Sequence, residues 1–293
     1  MKKIGLFSIL VLIMVPFMLA GCTDKEENTE AKTTQKPVLA VSIVPEETFV
    51  KAVCKDMADV VVLVPPGSSP ENYEPTPKEM EQFSNAQLYF SIGVPTEEAN
   101  IMPKAKEIEG MKIVSLQDAV SQVYSDREIA PGERDPHIWL SPKRAIVMVQ
   151  VIAGEMAEID PANKAQYEEN AQAYIEQLEV LDGQIQTALE GVQNKKFIVF
   201  HPAFGYLADD YGLQMYALED GGKEATPQRL REMIDLAKQE NIKAIFYQAE
   251  ISSAQAESFA EEIGGKTVQM APLAADYIEN LKKMAEVMSE VMQ

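Results

Sequence analysis

The sequence predicts an α/β protein of two lobes, each a parallel sheet flanked by helices, with one long helix between them. Three observations carry this. Short apolar strands alternate with helical segments from Val38 onward, and the alternation starts again at Phe197. Between the two runs, apolar residues recur at helical spacing through thirty-odd residues. Strand-helix alternation of this kind gives parallel sheets covered by helices.

Val38–Val44 reads as a strand, followed by a helix from Glu46, and Val60–Val64 is the next strand. Thr76-Pro77-Lys78-Glu79 then reads as a helix start, because Thr caps, Pro suits the first turn and Glu79 closes a capping box. Leu88–Ile92 and Lys112–Ser115 are strands. Ser141-Pro142 opens a helix with Ile146, Val149, Ile152 and Ala153 on one face.

Asp160-Pro161 supplies a cap and a first-turn proline for the long helix, and Gly191 stops it. Tyr167, Ala171, Tyr174, Ile175, Leu178, Leu181, Ile185 and Leu189 form its apolar stripe. At 1.5 Å per residue it is a rod of roughly 45 Å, long enough to run along two domains as a spine. Beyond it, Phe197–Phe200, Gln214–Leu218, Ile242–Tyr247 and Thr267–Met270 read as strands. Helices follow from Thr226-Pro227, with Leu230, Met233, Ile234 and Ala237 on one face, over Ala254–Ile263, and over Asp276–Met292.

The N-terminus addresses the compartment. Lys2 and Lys3 precede an apolar run from Ile4 to Ala20, which ends at Leu19-Ala20-Gly21-Cys22. A basic start, a short apolar run and small residues at the exit make a secretory signal. The run is at the short end for a spanning helix, which needs about 20 apolar residues. Its ending resembles a bacterial lipobox, in which the cysteine, here Cys22, is lipidated. Thr23 to Lys36 is polar and cannot offset its ordering entropy, so it reads as a flexible tether. With Cys22 lipidated, Cys54 is the one remaining thiol, and neither a disulfide framework nor a cysteine metal site is possible. Cys54 stands in an apolar stretch and reads as a buried small residue.

The formal charge of −20 argues against nucleic acid or an anionic membrane surface as a partner. It would attract cations, but an acidic surface also serves solubility alone.

There are two histidines. His137 lies in Asp135-Pro136-His137-Ile138-Trp139-Leu140-Ser141-Pro142, just before a helix, and His201 in Phe200-His201-Pro202-Ala203-Phe204-Gly205, just after a strand. One falls in each half, and open α/β sheets bind ligands beyond the carboxyl ends of their strands. Either both imidazoles enter one cleft or they are two unrelated, locally satisfied histidines. Spacing alone does not choose between these.

A third segment does. Val64-Pro65-Pro66-Gly67-Ser68-Ser69-Pro70-Glu71-Asn72-Tyr73-Glu74-Pro75-Thr76-Pro77 lies in a strand-to-helix loop. With it, the chain resembles the solute-binding lipoproteins of zinc and manganese ABC importers. The loop is similar to that family's PPG-x-x-PH-x-YEPTP, the His137 segment to its DPH-x-WL-SP, and the His201 segment to its HPAFGY. The long helix, with Pro161, Tyr167, Asn170, Ala171 and Tyr174, is similar to the family's backbone helix. Three motifs in order over nearly all of the mature chain make the resemblance specific.

The resemblance implies two α/β lobes joined by a rigid backbone helix, with a divalent metal between them as cargo. It divides the chain into a signal peptide at 1–21, a lipidated tether at 22–37, an N-terminal lobe at 38–159, the backbone helix at 160–191 and a C-terminal lobe at 192–293. It puts His137 and His201 on metal-ligand positions. Glu71 falls where the family usually has its first histidine, a departure from the pattern. A glutamate oxygen ligates zinc at ~2.0–2.2 Å, much as a histidine nitrogen does. One carboxylate and two imidazoles make a known zinc set, but a harder one than three histidines, which moves the balance toward Mn2+ or Fe2+. The competing reading leaves Glu71 in solvent and the site weak. Ala271 stands where some members supply an aspartate, so water, Gln248 or Glu250 is left to complete the shell. The stretch from Tyr124 to Arg134, where zinc-specific members often carry a His-rich loop, has no histidine. Tyr73, Glu74 and Glu224 read as positional, with a hydrogen bond to a ligating imidazole as the lesser alternative for either glutamate.

The function implied is capture of the ion, Zn2+ foremost, on the outer face of the cytoplasmic membrane and delivery to an ABC permease. A lipid-anchored monomer without enzymatic activity is expected. Three rivals stand beside it. A zinc hydrolase would need a base and a substrate pocket, and no H-E-x-x-H helix, G-x-S-x-G elbow or phosphate loop is present. An adhesin or interaction lipoprotein with a degenerate metal site would fail a metal titration. A binder of a non-metal solute leaves the two placed histidines unexplained.

Overall fold

A computed structural model of the protein describes residues 36–219, 225–250 and 254–293. The expected signal peptide, Cys22 and Glu224 lie outside the described residues.

The first lobe runs β1 (Val38–Val41), α1 (Val44–Cys54), β2 (Asp59–Val62), α2 (Pro77–Phe83), β3 (Leu88–Ser91), α3 (Met102–Ala105), β4 (Lys112–Ser115) and α4 (Leu116–Ser121). Its sheet is parallel in the order β2-β1-β3-β4. A small antiparallel hairpin follows, β5 (Glu128–Ala130) and β6 (Glu133–Arg134), in a stretch the sequence leaves as loop. Next come α5 (Pro142–Ile159) and the long helix α6 (Lys164–Glu190). The second lobe runs β7 (Lys196–Val199), α7 (Gly205–Asp210), β8 (Gln214–Ala217), α8 (Pro227–Gln239), β9 (Ala244–Gln248), α9 (Ala254–Glu262), β10 (Lys266–Met270) and α10 (Tyr277–Val291). Its sheet is parallel in the order β10-β9-β7-β8.

The helix starts follow the sequence signals. Thr76 accepts the Glu79 backbone N–H at 3.3 Å while Glu79 Oε2 accepts that of Thr76 at 2.6 Å, a complete capping box. Ser141 and Thr226 accept the backbone N–H groups of Arg144 and Arg229 at 3.2 Å each. Asp160 departs from expectation. A single 3₁₀ turn at Pro161–Asn163 precedes α6, and the Asp160 carboxylate accepts from the Asn163 amide and the Tyr167 hydroxyl, both at 2.7 Å. The α-helical part is thus 27 residues, a rod of about 40 Å.

All eight residues of the predicted α6 stripe are buried. They belong to one apolar cluster that runs from β1 and α1 through α5 and α6 to β7 and α10, so the two lobes share a core. Strand periodicity explains the rest of the layering. Leu39, Val41, Leu88, Phe90, Phe197 and Val199 face the shared core, while Ala40, Tyr89 and Ile198 face separate clusters on the far side of each sheet. Across the lobes, the Phe49 and Tyr277 rings meet edge to face at 4.8 Å, and the Thr48 hydroxyl donates to the Ala275 carbonyl at 2.9 Å. Cys54, at the end of α1, is buried in this core, and burial pushes its thiol up to about 12.

Candidate metal centre

Three connections bring the site together. Glu71 is in the β2–α2 loop, His137 lies between β6 and α5, and His201 lies just beyond the carboxyl end of β7. The Glu71 loop is held from behind. The Thr96 backbone N–H donates to the Pro70 carbonyl at 3.1 Å. The Thr96 hydroxyl and the Asn100 amide, the latter at 3.0 Å, both donate to the Tyr73 carbonyl. Tyr73 itself donates to Glu79 at 3.0 Å, and Glu74 is exposed.

The side chains converge. His137 Nε2 and His201 Nε2 are 3.2 Å apart, and Glu71 Oε1 is 3.4 Å from His201 Nε2. One donor atom from each of the three lies within 4.8 Å of the others, the sole such group of histidine, cysteine and carboxylate donors among the described residues. Two donors each ~2.05 Å from an ion at the tetrahedral angle would stand about 3.3 Å apart. The two closest separations, 3.2 and 3.4 Å, are near that spacing.

Each imidazole is oriented by a carboxylate on its other nitrogen. His137 Nδ1 is 2.8 Å from Asp135 Oδ1, which also accepts the His137 backbone N–H at 2.9 Å. His201 Nδ1 is 2.6 Å from Glu219 Oε2. A carboxylate on each Nδ1 leaves both Nε2 atoms turned into the same space, an arrangement common at metal-binding histidines. Sequence reasoning missed both carboxylates as orienters. Asp135 was visible in its motif. Glu219 is two residues past β8, and its N–H donates to the Phe200 carbonyl at 3.0 Å, so the β7–β8 register places it beside His201.

The electrostatics favour a cation. His201 is drawn up to about 9: burial alone would lower it, but the hydrogen bonds and charges of Glu219 and Glu71 outweigh burial. Burial would raise the Glu71 carboxyl, yet the hydrogen bond from His201 and the charges of both histidines bring it below the usual glutamate range. Trp139 backs the site, its ring 5.1 Å from that of His137 and its indole N–H donating to the Pro272 carbonyl at 3.0 Å. A cleft of about 820 Å³, lined among others by Asn72, Gln117 and Arg134, opens onto the three donors.

Gln248 is buried at the end of β9. Glu250 is half-buried, its carboxyl raised by burial, and is not a member of the three-residue group. Ala271 offers no side-chain donor.

Comparison with known proteins agrees with this architecture. The chain is 31% identical over 280 residues to the high-affinity zinc uptake system protein ZnuA of Bacillus subtilis (strain 168), covering 91% of this chain and 87% of that protein. It is 29% identical over 273 residues to the iron ABC transporter substrate-binding lipoprotein MtsA of Streptococcus pyogenes serotype M6, covering 90% and 87% respectively. A crystal structure of ZnuA superposes with a TM-score of 0.83 at 35% identity, over 88% of this chain and all of that one. The profile of the ZnuA family, described as zinc-uptake complex component A, periplasmic, matches residues 39–291. That span holds both lobes, the long helix and all three convergent side chains, and the chain belongs to this family.

Proposed function

We propose that this protein captures one divalent transition metal ion, zinc foremost, through Glu71, His137 and His201, and delivers it to the permease of an ABC importer. The carrying observation is the convergence of three donor atoms, two of them imidazole Nε2 atoms 3.2 Å apart and each backed by a carboxylate. Two imidazoles and one carboxylate suit zinc, and a coordination position toward the cleft is left for water. The ion is cargo, so the site must release it as well as bind it. No chemical step is asked of the protein, and the histidine-carboxylate pairs serve coordination.

The family relationship supports work outside the cytoplasmic membrane. The basic-apolar start and Leu19-Ala20-Gly21-Cys22 support a lipid anchor at Cys22, with the tether up to residue 37 carrying a monomeric two-lobed body: 38–159, the spine at 160–191 and 192–293. The formal charge of −20 argues against nucleic acid as a partner.

A second reading, manganese or iron as cargo, is favoured by one observation: an oxygen donor, Glu71, shares the site with the two imidazoles. Elemental analysis of protein purified without chelator, paired with competition among zinc, manganese and iron, tests both. Zinc at one per chain that the others cannot displace supports the first reading, displacement by manganese or iron the second. Absence of any bound metal overturns both.

A further inference from the structure

His137 owes its orientation to Asp135, and Asp135 is gripped from the other lobe. Arg127, just before the hairpin, presents its Nε to Asp135 Oδ2 at 3.4 Å. Its NH1 donates to both oxygens of Asp209 on α7, at 2.9 and 2.8 Å. The Arg127 backbone N–H donates to the Tyr206 hydroxyl at 3.0 Å, and that hydroxyl donates to the Asp135 carbonyl at 3.2 Å. The Asp135 N–H closes the loop on the Arg127 carbonyl at 2.8 Å.

Three residues of α7 make this grip: Gly205 by its lack of a side chain, Tyr206 by its hydroxyl and Asp209 by its charge. A Cβ on Gly205 would stand 2.1 Å from Arg127 Nε and 2.8 Å from Asp135 Oδ2, so only glycine leaves room for the guanidinium to lie against the carboxylate. His201 sits four residues ahead of the same helix. One short helix therefore carries one histidine by the chain and holds the other through Arg127 and Asp135.

We infer that Arg127 is a positioning residue for the metal site: it locks Asp135, and through it the His137 imidazole, to the C-terminal lobe, so that metal affinity depends on the contact between lobes at α7. The inference rests on the proposed ligation by His137. Asp135 is fully buried, and its Oδ2 has no hydrogen bond, so the adjacent guanidinium is the charge that faces it. Without that charge, a buried carboxylate is partly uncompensated and free to turn, and the Nδ1–H of His137 loses a fixed acceptor. Parting of the lobes at α7 would break the Asp209 pair and the Tyr206 bridge together, and would loosen both histidines in one motion.

The test is a double-mutant cycle on the full soluble chain, read by zinc competition with a chromophoric chelator. Arg127→Ala should weaken zinc about three- to tenfold, between the scale of an exposed ion pair and that of a direct ligand-orienting group. In an Asp135→Asn background the same change should cost nothing further, because the residue it acts through is gone. Gly205→Ala, which alters no charge, should mimic Arg127→Ala, and it keeps the test open if Arg127→Ala folds poorly. Ring ¹⁵N shifts of His137 in the metal-free protein should show mixed tautomers in Arg127→Ala and one tautomer in the wild type. Unchanged affinity in both single variants, or an equal loss in the Asp135→Asn background, overturns the inference. His137→Ala separates it from the reading beneath: if that variant still binds zinc normally, the proposed ligand set is wrong, whatever Arg127 does.

Discussion

His137 and His201 stand 64 residues apart in the chain and face each other Nε2 to Nε2 at 3.2 Å. Each has its Nδ1 against a carboxylate, so in the metal-free protein two lone pairs share one space with Glu71. A proton is the small cation that can relieve this. Burial opposes a charge on His201, but the hydrogen bonds and charges of Glu219 and Glu71 outweigh it and raise its value to about 9.

Metal must therefore displace a proton near neutral pH. Unperturbed imidazoles, near pKa 6.5, would lose affinity for metal only below that value. Against the opposing effect of burial, the hydrogen bonds and charges of Glu219 and Glu71 move the window up. Apparent zinc affinity should rise as pH goes from 7 to 8.5, by up to about tenfold per unit, with about one proton released per ion. Calorimetry in buffers of different ionisation heat measures the release. Affinity flat over that range would mean that His201 holds no proton in the empty site.

The same shift has a consequence for stability, with a definite sign. A histidine whose folded value is raised stabilises the fold fully below its unfolded value, near 6.5, and this contribution is lost as pH rises through about 9. The metal-free protein should melt lower at pH 9 than at pH 6.5, and zinc should remove most of that difference. At a free metal level 100-fold above the dissociation constant, binding adds ~2.7 kcal/mol to the folded state. Scanning calorimetry with and without zinc checks both. A melting curve unmoved by zinc, manganese and iron would speak for an interaction lipoprotein with a degenerate site.

Glu219 is the orienting carboxylate of His201, and Glu219→Gln should weaken zinc roughly 10- to 100-fold while leaving the fold intact. The amide can still accept from Nδ1–H, so part of the orientation survives and the charge is what is lost. Glu219→Ala should cost more. Equal and negligible effects in both would mean that the His201 backbone alone sets the ring.

How much of this could be read in the sequence depended on the range of the interactions. The α6 stripe and the caps at Thr76, Ser141 and Thr226 are local, governed by helical period and by side chains three residues from their partners. His137 and His201 stood out as the two histidines of the chain, each in a proline-flanked motif at an element edge. Glu219 could not, because its tie to His201 exists only once β8 pairs with β7. The hairpin Glu128–Arg134 has strands of three and two residues with no apolar alternation, too little pattern for a strand to register. The shared core was hidden for another reason: the stripe of α6 says which face is buried, not that one face serves both lobes.

Glu71 is the most exposed of the three residues, about a quarter open. Glu71→Ala opens a coordination position and removes the charge that offsets the ion. A lost direct ligand should cost at least as much as a lost orienting group, 10- to 100-fold in zinc affinity. Glu71→His should restore binding and shift preference from manganese toward zinc, since imidazole is the softer donor. Asn72 lines the same cleft one residue on and is exposed, so Asn72→Ala is the control for a surface change in this loop. Competition assays with zinc and manganese on the wild type, these three variants, His137→Ala and His201→Ala separate the outcomes. If Glu71→Ala binds like the wild type while His137→Ala and His201→Ala do not, Glu71 is a loop carboxylate attracted to a charged His201, and the ion takes its remaining donors from the cleft side.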